Sequence, residues 1–190
     1  MRIISTLLLI CATFISACAA VTPVSPAHTP DPSPTTASRF IDVKGGGFSL
    51  SIREDLEFDV DDVSINLSDD QGLLVMSLNG RPYISSEYTL ESFLGKYLTE
   101  MEARGGRFVR GVPYEIIIDD MSGLAIDLTG TFLDRPIAGR GIIISPEEDF
   151  IVFGLGMSIL GGNKNAWAES GSVIFEDILK SIRFKDSLSR

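Results

Sequence analysis

Two stretches of this chain, Phe48-Ser49-Leu50-Ser51-Ile52 and Val63-Ser64-Ile65-Asn66-Leu67-Ser68, alternate apolar and polar side chains at every step. A strand sends successive side chains to opposite faces, so a period of two buries one face of a sheet and suits no helix. Asp69-Asp70-Gln71-Gly72 has the composition of a turn. Leu73 to Leu78 then returns as a more apolar strand, so the two flanking runs are expected to pair as a hairpin. Four further strand-like runs follow: 108–119, broken near Pro113, then 124–132, 137–145 and 150–158. Their connections, Asp120-Met121-Ser122-Gly123, Leu133-Asp134-Arg135-Pro136 and Pro146-Glu147-Glu148-Asp149, are short and polar, as in antiparallel hairpins.

The period changes twice. Behind Thr89, a good N-cap residue, Leu90, Phe93, Leu94, Tyr97, Leu98 and Met101 recur at steps of three and four, the stripe of an amphipathic helix. Gly105-Gly106 ends it, the first glycine suiting a left-handed C-terminal position. After Gly161-Gly162-Asn163 a second helix is expected from about 165 to 181, with Trp167, Ile174, Ile178 and Leu179 turned inward, and Ile182-Arg183-Phe184 adds a closing strand. Strands, helix, meander and helix in that order predict an α+β domain: a curved, mainly antiparallel sheet flanked by two main helices. It would occupy residues 40–186, about 145 residues and the usual size of one domain, leaving 187–190 as a tail.

The amino-terminal segment has another logic. Met1-Arg2 gives a positive start, and Ile3 to Ile15 is a run of apolar and small residues too short for the ~20 that span a bilayer as a helix. The run ends in Ile15-Ser16-Ala17-Cys18, which resembles the lipobox of bacterial lipoproteins. The resemblance implies a signal peptide over 1–17, cleavage between Ala17 and Cys18, and diacylglycerol on the Cys18 thiol. An ordinary secretory signal cut near Ala17 to Ala20, or an uncleaved anchor, are the alternatives. Residues 18–39 would be the lipidated cysteine and its linker, with Pro23, Pro26, Pro30, Pro32 and Pro34 among Thr, Ser and Ala. As an extended polyproline-like chain such a linker reaches ~60 Å. Ala19 follows the cysteine where retention in the inner membrane often uses Asp. The expected place is therefore extracytoplasmic, lipid-anchored to the cell membrane or, if there is one, to the outer membrane.

Charge and composition narrow the chemistry. The formal net charge is −10, and losing Arg2 with the signal makes the mature chain more negative still. Nucleic acid is excluded as a partner on that balance, and an anionic bilayer would repel the domain as a whole, so an anchor must hold it. Cys11 and Cys18 are the only cysteines and His28, in the linker, is the only histidine. The domain therefore lacks a disulfide, a thiolate metal site and a Ser-His-Asp arrangement. Lys96, Lys164, Lys180 and Lys185 belong to no Ser-x-x-Lys motif. Acidic clusters at Asp59, Asp61 and Asp62, Asp69 and Asp70, Asp119 and Asp120, and Glu147 to Asp149 all fall at expected turns. They have neither EF-hand spacing nor an evident catalytic pairing. Gly45-Gly46-Gly47 and Gly154-Leu155-Gly156 lack phosphate-loop spacing. No metal or cofactor is expected.

Arg104, Arg107 and Arg110 stand out against the acidic background as a candidate patch for an anionic partner. The plainer account gives Arg104 to a helix C-terminus and the other two to a solvated strand. Trp167 is a candidate for lining a pocket, or for the core.

Taken in order, Gly47 to Ile52 with an acidic turn behind it, the helix from Leu90 to Arg104 leading into strands, Gly123-Leu124-Ala125-Ile126-Asp127, and the last helix running into Ile178-Leu179-Lys180-Ser181-Ile182-Arg183-Phe184 resemble PsbP-like domains. Such domains often carry a Pro and a Trp after the first strand, and Arg53-Glu54-Asp55-Leu56 has neither. The resemblance implies an α/β/α sandwich and a family that includes the extrinsic photosystem II subunit and many bacterial lipoproteins of unknown role. A fold does not set a function. The expectation is a membrane-anchored, non-enzymatic binding or assembly module, its partner an envelope protein or a small ligand. A carboxylate-dependent envelope hydrolase and a calcium-dependent binding module are the alternatives.

Overall fold

The structure, a computed structural model, describes residues 38–42, 47–82, 89–147 and 149–184. The signal segment 1–17, Cys18, nearly all of the linker and the tail 187–190 lie outside the described residues. Strand β1 (Ser38–Asp42) begins two residues ahead of the expected domain start. It pairs with β2 (Phe48–Arg53), and β2 pairs in turn with β11 (Arg183–Phe184), giving a small three-stranded sheet.

The main sheet has eight strands, all paired antiparallel: β3 (Leu56–Val60), β4 (Ser64–Asp69), β5 (Leu74–Pro82), β6 (Gly106–Arg110), β7 (Tyr114–Ile118), β8 (Met121–Phe132), β9 (Arg135–Glu147) and β10 (Phe150–Ile159). Their order across the sheet is β3-β4-β5-β10-β9-β8-β6, with β7 beside β8 beyond the break at Gly111 to Pro113. β4 and β5 form the hairpin that their alternation predicts. The connection expected at Asp120 to Gly123 is tighter than its composition suggested. Asp119 and Asp120 have φ of 50° and 62°, and strand resumes at Met121. Leu133 and Asp134, at 49° and 60°, make the same two-residue loop between β8 and β9. Positive φ at both central residues is the type I′ geometry, whose twist matches the flanking strands.

Helix α1 (Leu90–Ala103) is capped as its sequence predicts: Thr89 Oγ1 accepts from the Ser92 amide at 3.2 Å. It ends where Gly105 takes φ of +108°. Its Phe93, Leu94, Tyr97 and Leu98 pack with Ile126, Leu128, Ile143, Phe153 and Leu155 on one face of the main sheet. Helix α2 (Ser172–Ser181) covers the other face together with β2. Phe48, Leu50 and Ile52 meet Met76, Leu78, Ile142, Phe175 and Ile178 there. The Phe175 ring rests on Gly156, where a Cβ would come within 2.6 Å of it.

The second helix is not regular over 165–181. Residues Trp167–Gly171 form a π-helical turn closed by the Ser172 amide donating to the Trp167 carbonyl. Eight residues apart on an α-helix, Trp167 and Phe175 would diverge by roughly 80° at ~100° per residue. One inserted residue cuts that to about 20° and lets both face the core. Their ring centroids are 5.9 Å apart.

Candidate functional site

Pro113 has no amide to give a ladder, so β6 stops short of it and β7 starts afresh along β8. Alternation then turns Tyr114, Ile116 and Ile118 of β7 to the α2 side, as the directly opposed pairs Tyr114 with Ala125 and Ile116 with Gly123 show. Across from them lie Glu176, Leu179 and Lys180 of α2, and beneath lie Arg140 and Ile142 of β9. Together these residues bound an open cleft of about 300 Å³. Its walls are largely isoleucine and leucine, with a few polar groups converging on them, the usual make-up of a ligand groove.

Arg140 sits at the polar end, its side chain only 18% exposed. Its Nε donates to Asp127 Oδ1 at 2.7 Å and its Nη1 to Glu176 Oε1 at 3.0 Å. The guanidinium carbon lies 5.5 Å from the Tyr114 ring centre, and the Tyr114 hydroxyl donates to Asp127 Oδ1 at 3.3 Å. Burial works against the charge on Arg140, but the bonds to Asp127 and Glu176 prevail and hold it above its ordinary pKa. Burial, with the Asp127 carboxylate adding to it, also pushes the Tyr114 phenol up, against the pull of the Arg140 guanidinium. One arginine thus ties a sheet strand to a helix and keeps a cationic group at the cleft without leaving it unpaired.

The structure separates Arg110 from the other two arginines singled out in the sequence. Arg110 lies against α1, donating to Glu102 Oε2 at 2.8 Å, to Thr99 Oγ1 at 3.2 Å and to the Gly95 carbonyl at 3.4 Å. Arg107 is three positions earlier on the same strand and so projects from the opposite face, exposed. Arg104 is exposed at the C-cap of α1. Trp167 is half-buried beside Phe175 and packs against the core.

Several acidic clusters serve turns. Asp61 Oδ1 accepts from the Val63 and Ser64 amides at 2.9 and 2.7 Å, and Oδ2 from the Ser64 hydroxyl at 2.7 Å. Those bonds, the Ser64 hydroxyl first, draw the Asp61 carboxyl below its usual range. Asp69 Oδ1 accepts from the Leu73 and Leu74 amides, and Asp119 Oδ2 from the Phe184 amide. Among the described residues no three His, Cys, Asp or Glu side chains are placed to share a metal ion, and no helix is long and apolar enough to cross a membrane.

No protein-family model matches the sequence, and no curated protein matches it. Solved structures do. The solution structure of cyanobacterial PsbP (CyanoP) from Synechocystis sp. PCC 6803 superposes with a TM-score of 0.55 at 12% identity, over 84% of this chain and 99% of that one. A crystal structure from Bacteroides thetaiotaomicron VPI-5482 gives 0.53 at 9% identity, over 80% of this chain and 50% of that one, so the chain spans about half of that protein. At such identities the shared property is the fold: an antiparallel sheet between helices, the α+β sandwich that the PsbP-like resemblance implies.

Proposed function

We propose that this chain is an extracytoplasmic lipoprotein whose signal is removed after Ala17, whose Cys18 carries the lipid, and whose folded domain is a non-enzymatic binding or assembly module. The observation that carries the anchor is Ile15-Ser16-Ala17-Cys18 closing an apolar run too short to span a bilayer. Two or more acyl chains hold a protein at a membrane stably, since each buried methylene contributes about 0.8 kcal/mol. The proline-rich stretch behind Cys18 is then a spacer that lifts the domain clear of the headgroups.

The cleft between β7 and α2 supports the binding role. It is apolar, open and supplied with a fixed cation and a phenol at one end. Glu176, the acid that lines it, and Asp127 behind accept from the same guanidinium, an arrangement that positions Arg140. A small ligand or a side chain of an envelope protein fits a space of this size.

Labelled fatty acid fed to cells making the chain tests the anchor. Uptake is expected in the wild type and absent in Cys18→Ala. Label that persists in Cys18→Ala, or a native mature terminus other than residue 18, overturns the assignment. A photo-crosslinking residue at Tyr114 tests the cleft, with envelope adducts expected there that Arg140→Met diminishes.

A further inference from the structure

Most arginines whose side chains the structure describes have a partner: Arg53 pairs with Asp55, Arg110 with Glu102, Arg140 with Asp127 and Glu176, Arg183 with Asp119, and Arg81 lies over the Phe93 and Phe153 rings. Among the described residues Arg104, Arg107 and Arg135 form no ion pair with a carboxylate, and all three are exposed, Arg104 acting only through its field on the Tyr97 phenol. The topology brings these three to one corner. The Leu133 amide donates to the Gly105 carbonyl at 3.0 Å, which sets the β8–β9 loop against the residue after Arg104. Arg135 flanks that loop, directly opposite Phe132 and so on the α1 side of the sheet, while Arg107, opposite Thr131 on the neighbouring strand, projects from the other side.

Leu133 is at the tip of this corner. It is 64% exposed and has φ of 49°. A bulky aliphatic residue in left-handed backbone is a costly choice where Asn or Gly would serve, and solvent gives it nothing in return. An apolar tip at the end of the sheet, with arginines that have no carboxylate partner on both of its sides, fits a surface that is apolar below and anionic above.

We propose that this corner is the face the domain turns to an anionic bilayer, with Leu133 entering the headgroup region and Arg104, Arg107 and Arg135 meeting lipid phosphates. It rests on the reading that the chain is tethered at a membrane. The net charge of the chain does not forbid it. Among residues 54–70 the acids Glu54, Asp55, Glu57, Asp59, Asp61, Asp62, Asp69 and Asp70 stand without a single Lys or Arg, at the β3 edge. Six interstrand steps of about 4.8 Å separate β3 from β6, roughly 29 Å. The screening length at physiological salt is about 8 Å, so a surface at the basic corner hardly senses that acidic edge. Asp134 is the one carboxylate in the loop, and Glu102, two residues before Arg104, is already matched by Arg110.

The test uses the mature chain from residue 18 with Cys18→Ala, so that no acyl chain contributes, and Leu133→Cys carrying an environment-sensitive fluorophore. Vesicles with phosphatidylglycerol should shift the emission to the blue, and pure phosphatidylcholine should not. High salt should abolish the shift, and each of Arg104→Gln, Arg107→Gln and Arg135→Gln should weaken it about fivefold. The same fluorophore at Asp59→Cys should stay silent. An equal response on neutral vesicles, a response unchanged in the triple arginine variant, or silence on both vesicle types overturns the proposal. Silence on vesicles with arginine-dependent binding of polyglutamate overturns it in favour of an acidic protein partner. The chain in this test bears no lipid, so a negative result faults the corner and leaves the Cys18 anchor to the fatty-acid experiment.

Discussion

Asp127 and Arg140 face each other directly across the β8–β9 ladder, with Oδ1 accepting from Nε at 2.7 Å. The same arginine reaches Glu176, so the pair fastens sheet to helix as well as strand to strand. Arg140→Met should cost about 1–2 kcal/mol in urea unfolding, because two charge-assisted bonds to a mostly covered guanidinium go at once. Asp127→Asn should cost less, its carboxylate being more than half exposed. Equal stability of Arg140→Met and the wild type would show that the cluster contributes nothing to holding α2.

The contact between Phe175 and Gly156 predicts a second loss. A methyl group at 156 meets the ring at 2.6 Å. Gly156→Ala should destabilise by roughly 1–3 kcal/mol through overpacking. Gly156→Ala with Phe175→Leu should recover part of it. Thermal melting of the three proteins decides, and additive losses in the double variant would refute the contact.

Tyr97 sets an alkaline limit. Burial between α1 and Phe153 pushes its phenol from 10.0 up to about 12. Its neutral form is the one the fold keeps, so its contribution is complete below 10 and fades as the pH climbs from 10 toward 12, where the unfolded chain ionises first. Two units correspond to about 2–3 kcal/mol. Tyr97→Phe should therefore flatten the stability profile over that window. A profile as steep as that of the wild type would place the alkaline transition elsewhere.

The loop at Leu133 predicts a gain. Asn accepts left-handed backbone far better than Leu, and 64% of Leu133 is in solvent. Leu133→Asn should raise stability by roughly 0.5–1 kcal/mol while reducing any affinity for lipid vesicles. A lower melting temperature would mean that the contact with Gly105 outweighs the backbone strain.

Much of this fold is legible in the pattern of residues. Thr89, the stripe from Leu90 to Met101 and Gly105 place α1 to within one residue, because cap, period and stop agree. The long strands of the meander show for the same reason. β1 and β3 do not: each is five residues, one emerging from a proline-rich linker and the other from an acidic turn that draws the eye to Glu54 and Asp55. Gly123 reads as a turn residue, yet it lies within β8, where Ile144 and the Ile143 carbonyl leave no room for a Cβ. The Arg140 cluster depends on register, and the loop that sets register contains Leu133, a residue that announces no type I′ turn. The arginine trio misleads through spacing: positions three apart on a strand point to opposite faces, so Arg107 and Arg110 part company.

The main sheet ends in short strands, five residues each in β3, β6 and β7. If the chain is tethered as proposed, its copies are crowded into a plane, where unpaired ladders meet far more often than in solution. An incoming strand at β3 meets Glu57 and Asp59, and at the other side finds its template interrupted at Pro113. A neighbour adding itself there gains a few hydrogen bonds and no continuous seam. A surface densely covered with this protein should accordingly stay a layer of separate domains and not knit into fibrils.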